Sequence, residues 1–97
     1  MHPTIIEAIK QHRVLNVFYD GYNRTVEPHT YGINSAGHEA LSCYQVGGGS
    51  VSGNPEGWKM LWISKLDKTV LTELTFTPRT SPAPWADKPM RHVYAQV

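Results

Sequence analysis

The sequence predicts a mainly β domain, a small barrel or strongly curved sheet of five or six strands preceded by a short N-terminal α-helix. Three observations carry this. Apolar residues recur at helical spacing only in the segment near residues 5–12. From Val14 onward they come in short β-branched and aromatic runs. Turn residues separate those runs at close intervals, the pattern of many short strands.

Each element has its own signal. Thr4-Ile5-Ile6-Glu7 reads as a capping box, with the Thr4 hydroxyl accepting from the Glu7 N–H and the Glu7 carboxylate reaching back. Ile5, Ile6 and Ile9 then form an apolar stripe opposite Glu7, Lys10 and Gln11, and a helix this short must dock to persist. Val14 to Tyr19 is a first strand, closed by the turn Asp20-Gly21. Arg24 to Tyr31 is a second, where Pro28 predicts an edge, a bend or a bulge. Asn34-Ser35-Ala36-Gly37 makes the next turn. Glu39 to Val46 is a third strand, with Leu41 and Cys43 on one face and Ala40, Tyr44 and Val46 on the other. A polar, Gly-rich loop follows from Gly47 to Gly57. Trp58 to Leu66 reads as a fourth strand, apolar on both faces, and Thr69 to Thr77 as a fifth with Val70, Leu74 and Phe76 on one side. Pro78, Pro82, Pro84 and Pro89 then deny regular structure, except for a terminal strand at Arg91 to Ala95.

Ninety-seven residues suit one domain, here 1–78, followed by a Pro-rich tail, 79–97. Nine Lys and Arg against eight Asp and Glu leave a net charge of +1, so nucleic-acid binding requires a local basic patch rather than a coat of charge. The single Cys43 cannot form an internal disulfide, no apolar run is long enough to span a bilayer, and the start lacks signal-peptide character. A cytoplasmic protein without membrane contact is the expectation.

Several of these residues also follow a family pattern. Val17-Phe18-Tyr19, then Arg24-Thr25-Val26-Glu27-Pro28 with Tyr31-Gly32, stand in the order and spacing of a WYL domain, which the chain resembles from Ile5 to about Pro78. The third strand departs from that pattern: Glu39-Ala40-Leu41-Ser42-Cys43 keeps only the leucine of the Trp-Tyr-Leu signature. In Leu61-Trp62-Ile63-Ser64-Lys65-Leu66, Trp62 replaces the family's first arginine and Lys65 takes the place of the second. The resemblance implies an SH3- or Sm-like barrel acting as a ligand-sensing or nucleic-acid-contacting module. In the family it usually follows a helix-turn-helix; only four residues precede the first helix expected here, so reading DNA by that route is not expected.

The same resemblance makes Arg24 a contact for phosphate or carboxylate, and the planar guanidinium fork suits such anions. The plainer reading is an ion pair with Glu27 or Asp20, or a solvated strand end. Lys59 and Lys65 share a face if their strand is regular, and otherwise are solvated lysines at strand ends. Tyr19, Tyr31 and Trp62 are the candidates for stacking on a base, and Trp58 and Trp62 are equally packing residues. Gly47-Gly48-Gly49-Ser50 looks like a phosphate cradle but lacks the P-loop ending and context, so it reads as a hairpin connection able to act as a lid. His29 and His38 flank a turn and suggest a metal only weakly, since no spacing fits a ligand set; no metal or cofactor is expected. Cys43 sits mid-strand among apolar residues, where a thiol is a small hydrophobe rather than a nucleophile. The expected function is therefore a non-enzymatic, regulatory binding module for an anionic ligand, a nucleotide or short nucleic acid. The alternative is a protein–protein interaction or self-association module, and a homo-oligomer, most simply a dimer, is expected.

Overall fold

The helix α1 spans Pro3–Gln11 in the computed structural model, which describes residues 2–50, 53, 56–85 and 89–97. Pro3 stands in the first turn, where its missing N–H costs nothing and its fixed φ suits the helix, and His2 is the N-cap. The expected capping box is not formed. Thr4 already lies inside the helix, no side chain caps its start, and the Glu7 carboxylate accepts from Gln11 Nε2 at 2.6 Å. The apolar stripe is as expected: Ile5 and Ile9 are buried with Ala8, and Ile6 packs against them.

Six strands follow: β1 (Arg13–Tyr19), β2 (Tyr22–Ile33), β3 (Glu39–Gly48), β4 (Gly57–Trp62), β5 (Leu66–Thr75) and β6 (His92–Gln96). All pairings are antiparallel, in the order β4-β3-β2-β1-β5, with β6 also on β2. Asp20 and Gly21 join β1 to β2 with φ of 49° and 81°, the left-handed pair whose twist matches that of a hairpin. Asn34 Oδ1 accepts from the N–H groups of Ala36 and His38, both at 3.0 Å, and so shapes the turn before β3.

β2 organises the sheet. One edge lies along β3, while the other pairs first with β1, as far as Val26, and then with β6 from Thr30 on. Pro28 falls in the interval between these two partners, so that edge does not require its N–H. The β2–β3 register shifts between Pro28 and Thr30, which is the irregularity the proline predicted.

Three expectations are corrected. The fourth strand does not run to Leu66: β3 begins at Glu39, β4 meets its last partner at Trp62 opposite Ala40, and the chain then makes a 3-10 turn at Ile63–Lys65. Lys59 and Lys65 therefore do not share the face of one strand. In β5, Val70 and Leu74 are exposed, at 44% and 66%, and do not share a packed side with Phe76, which lies beyond the strand and is buried. The sheet itself is open: β4 and β5 end the strand order and no pairing among the described residues joins them, so the expected barrel is not closed.

The core lies on one face of the sheet and under α1. Leu15, Val17 and Tyr19 meet Val26, Tyr31, Leu41, Cys43 and Leu61 there. No helix among the described residues is long and apolar enough to cross a membrane.

Candidate anion-binding site

Strand alternation places Arg24 on the core face. Leu15, Val17 and Tyr19 face inward on β1, and Arg24 pairs with Val17 and continues inward to Val26 on β2. Across β2, Leu41 and Cys43 lead to Gln45 on the same face of β3, and Lys59 lies opposite Cys43 on β4. The inward row thus ends in polar groups where the β1–β2 hairpin meets the end of β3.

Arg24 is only 4% exposed. Its Nε–H donates to the Tyr19 carbonyl at 3.2 Å and Nη1 to Gln45 Oε1 at 3.4 Å, while Nη2 bonds to no described residue. The guanidinium carbon lies 5.1 Å from the Tyr19 ring centre and 5.9 Å from that of Tyr22, within range of both π faces. The plainer sequence reading, an ion pair with Glu27 or Asp20, does not occur: Glu27 bonds Arg79 instead, at 2.8 Å, and that is the salt bridge found among the described residues. The guanidinium is thus largely withdrawn from water, meets no carboxylate of a described residue, and keeps Nη2 open to solvent.

Gln45 holds the neighbouring loop. It is fully buried, its Nε2 donates to the carbonyls of Gly47 and Gly49, both at 2.9 Å, and its Oε1 accepts from Arg24. Gly47 and Gly48 belong to β3 rather than to a free loop, and the Gly49 N–H donates to the Asn23 carbonyl at 3.1 Å. Gly48 has a φ of 90° and its Cα lies against the backbone of Asn23 and Arg24, and Gly49 abuts the Tyr22 ring, so a side chain at either would collide. The run of glycines therefore lets β3 close onto Arg24. The lid expected of the Gly47–Gly57 loop falls in part on Val51, Ser52, Asn54 and Pro55, outside the described residues.

Lys59 brings a second cation to this end of the sheet, with its Nζ 3.4 Å from Ser50 Oγ. Burial pushes the Cys43 thiol up to about 12 against the opposing pull of Arg24 and Lys59. At ordinary pH this sulfur stays protonated, and it sits 3.7 Å from the Lys59 carbonyl.

The remaining sequence candidates divide. Tyr19 joins the site: its carbonyl holds Arg24, and its hydroxyl accepts from the Trp62 N–H at 3.1 Å. Trp62 stacks on His38 with ring centres 4.0 Å apart, and Lys65 Nζ lies 5.4 Å from its ring centre, so these two form a neighbouring surface cluster linked through Tyr19. Tyr31 is a correction. It is 0% exposed, its hydroxyl donates to the Glu39 carboxylate and accepts from the His2 N–H at 2.7 Å, and no face is left for a base. Burial and the Glu39 contact both raise its phenol well above the usual range. Its role is to fasten the start of α1 to β2 and β3.

Gln45 and Tyr22 were missed by the sequence reading. Alternation from Leu41 and Cys43 already puts Gln45 inward, which is the available signal; nothing local marks Tyr22. No group of three or more His, Cys, Asp or Glu side chains converges among the described residues, and His29 and His38 pack against different rings. Comparison with protein-family models, curated proteins and solved structures finds no match, so the functional reading rests on this geometry and on the resemblance noted above.

Proposed function

We propose that this chain is a non-enzymatic binding module for a phosphate-bearing ligand, a nucleotide or short nucleic acid, held at the Arg24 end of the sheet. The observation that carries the reading is a 4% exposed arginine with no carboxylate partner among the described residues and with Nη2 unbonded. A phosphate oxygen on Nη2 would supply the missing charge through a short, charge-assisted bond. Lys59 adds charge across the site, and Tyr22, 41% exposed beside Arg24, offers a ring face for a base in the role first assigned to Tyr31. We read the fold as an opened form of the SH3- or Sm-like barrel that the WYL resemblance implies. The N-terminal helix and the long second strand shared by two partners support that reading.

The test is a titration of ADP and of a short oligonucleotide against wild type and Arg24→Lys at two salt concentrations. Charge-assisted bonds contribute roughly 1.5–3 kcal/mol, so losing the guanidinium fork weakens binding about tenfold or more. An oligonucleotide shows a steep salt dependence and ADP a shallow one. If wild type binds neither, the reading is discarded.

A second reading, self-association, is favoured by a different observation. Among the described residues β4 and β5 each have one unpaired edge, and β5 exposes Val70 and Leu74 beside its edge. A dimer in light scattering that Leu74→Lys converts to monomer supports it; a wild-type monomer at tens of micromolar ends it.

A further inference from the structure

On the opposite face of the β2–β3–β4 sheet the Pro-rich tail spans a cavity of about 380 Å³. Ser42 and Tyr44 alternate with the core residues of β3, and Met60 and Trp58 stand opposite them on β4, so these side chains face away from Arg24. Residues 79–85 cross above them. This strap is pinned at both ends. At one end the Arg79 N–H donates to His29 Nε2 at 3.1 Å, its Nε–H to Glu27 at 2.8 Å, and its guanidinium lies 3.5 Å from the Tyr44 ring centre. At the other, Trp85 Nε1–H donates to Ser42 Oγ at 3.1 Å. Pro82 and Pro84 stiffen the span between the pins, so it does not collapse onto the sheet.

The cavity is open to solvent on one side, and its aromatic and thioether walls face water where an apolar guest would bury them. Its volume lies in the range of small-molecule sites. The lining defines the guest. Trp58, Trp85, Met60 and Met90 supply aromatic and polarisable walls. The cation at the rim, Arg79, is already paired with Glu27, and His29 uses both ring nitrogens, donating Nδ1–H to the Glu27 carbonyl and accepting at Nε2, which fixes it as neutral. Among the described residues the one cation of the lining is thus already matched by a carboxylate. Of the hydroxyls in the lining Ser42 is the buried one, 6% exposed beside a half-buried Thr30 and exposed Thr80 and Ser81; it accepts from Trp85, and its own hydroxyl proton meets no described acceptor.

We infer that the cavity beneath the strap is a second binding site, separate from Arg24, for a small uncharged aromatic molecule carrying one hydrogen-bond acceptor for Ser42. Acetophenone has this chemistry, ethylbenzene lacks the acceptor, and benzoate carries a charge. The three are titrated into the ¹⁵N-labelled full chain. Acetophenone produces saturable shifts at the indole N–H groups of Trp58 and Trp85 and at the Ser42 amide, and benzoate binds at least tenfold more weakly. Ser42→Ala, which also removes the Trp85 pin, weakens acetophenone about three- to tenfold more than it weakens ethylbenzene. Ala83→Trp, which fills the cavity from the strap, abolishes binding of all three, whereas Arg24→Lys changes none of them. The absence of saturable shifts, shifts centred on Tyr22 and Arg24, benzoate binding as tightly as acetophenone, or binding that survives Ala83→Trp each overturns the inference. Should Ala83→Trp fail to fold, the Ser42→Ala and benzoate comparisons still decide it.

Discussion

The two faces of the β2–β3–β4 sheet solve the same problem, a cation beside buried apolar residues, in opposite ways. On the outer face Arg79 has its carboxylate, a tyrosine ring to lie on and a histidine accepting from its backbone. On the inner face Arg24 is more deeply buried and has, among the described residues, a carbonyl and an amide but no carboxylate. A satisfied cation fastens one segment to another, as Arg79 fastens the tail. In the function proposed above, a cation without a carboxylate among the described residues takes its counter-charge from outside. On that proposal the difference separates a latch from a receptor, although both use the same side chain.

Single substitutions on β3 sharpen the contrast most. Leu41 is 0% exposed and faces the core, so Leu41→Ala costs about 2–5 kcal/mol in denaturant unfolding. Its neighbour Ser42 faces the strap, and Ser42→Ala removes one hydrogen bond at a cost of about 1 kcal/mol. Equal losses at the two positions would break the assignment of faces.

His29 makes the latch sensitive to acid. Burial, the largest cause, lowers its pKa below the ordinary 6.5; the Arg79 and His12 charges act the same way, while Glu27 and its carbonyl oppose them. Because the folded state resists a proton that the unfolded chain accepts, the contribution to stability is full above about pH 6.5 and is lost as pH falls below it. Unfolding free energies measured at pH 7.5 and 5.5 fall in wild type and fall less in His29→Gln. An equal fall in both would remove His29 from the latch. The smallest effect is that of Arg79→Gln. The Arg79 side chain is 36% exposed, and loss of this partly solvated ion pair with Glu27 costs about 1 kcal/mol or less.

Much of the fold was legible because it is written in local patterns. The isoleucine stripe, the Asp20-Gly21 turn, the Pro28 irregularity and a terminal strand after Arg91 all depend on neighbours in the chain. Local signals also compete. The proline at the first helical position displaced the Thr4–Glu7 cap, and the apolar run after Trp58 turned at Ile63 where its partner strand ended. The site was legible only in part. Arg24 stands out by residue type, but whether it is paired depends on where Glu27 goes, and Glu27 is claimed by Arg79 from far along the sequence. Tyr31 looked as available as Tyr22 because exposure is set by α1, β3 and β6 closing over it, which no short window contains. The cavity under the strap was invisible for the same reason: its walls come from β2, β3, β4 and the tail.

In the proposed function a phosphate would supply the counter-charge that Arg24 lacks among the described residues, and its own Nε–H resonance reports this directly. With ¹⁵N-arginine-labelled protein, added ADP shifts the Arg24 Nε–H and the Gly49 amide saturably along one binding curve, while the Arg79 Nε–H, already held by Glu27, stays in place. An Arg24 resonance that does not move while ADP binds, or an equal movement at Arg79, contradicts the account.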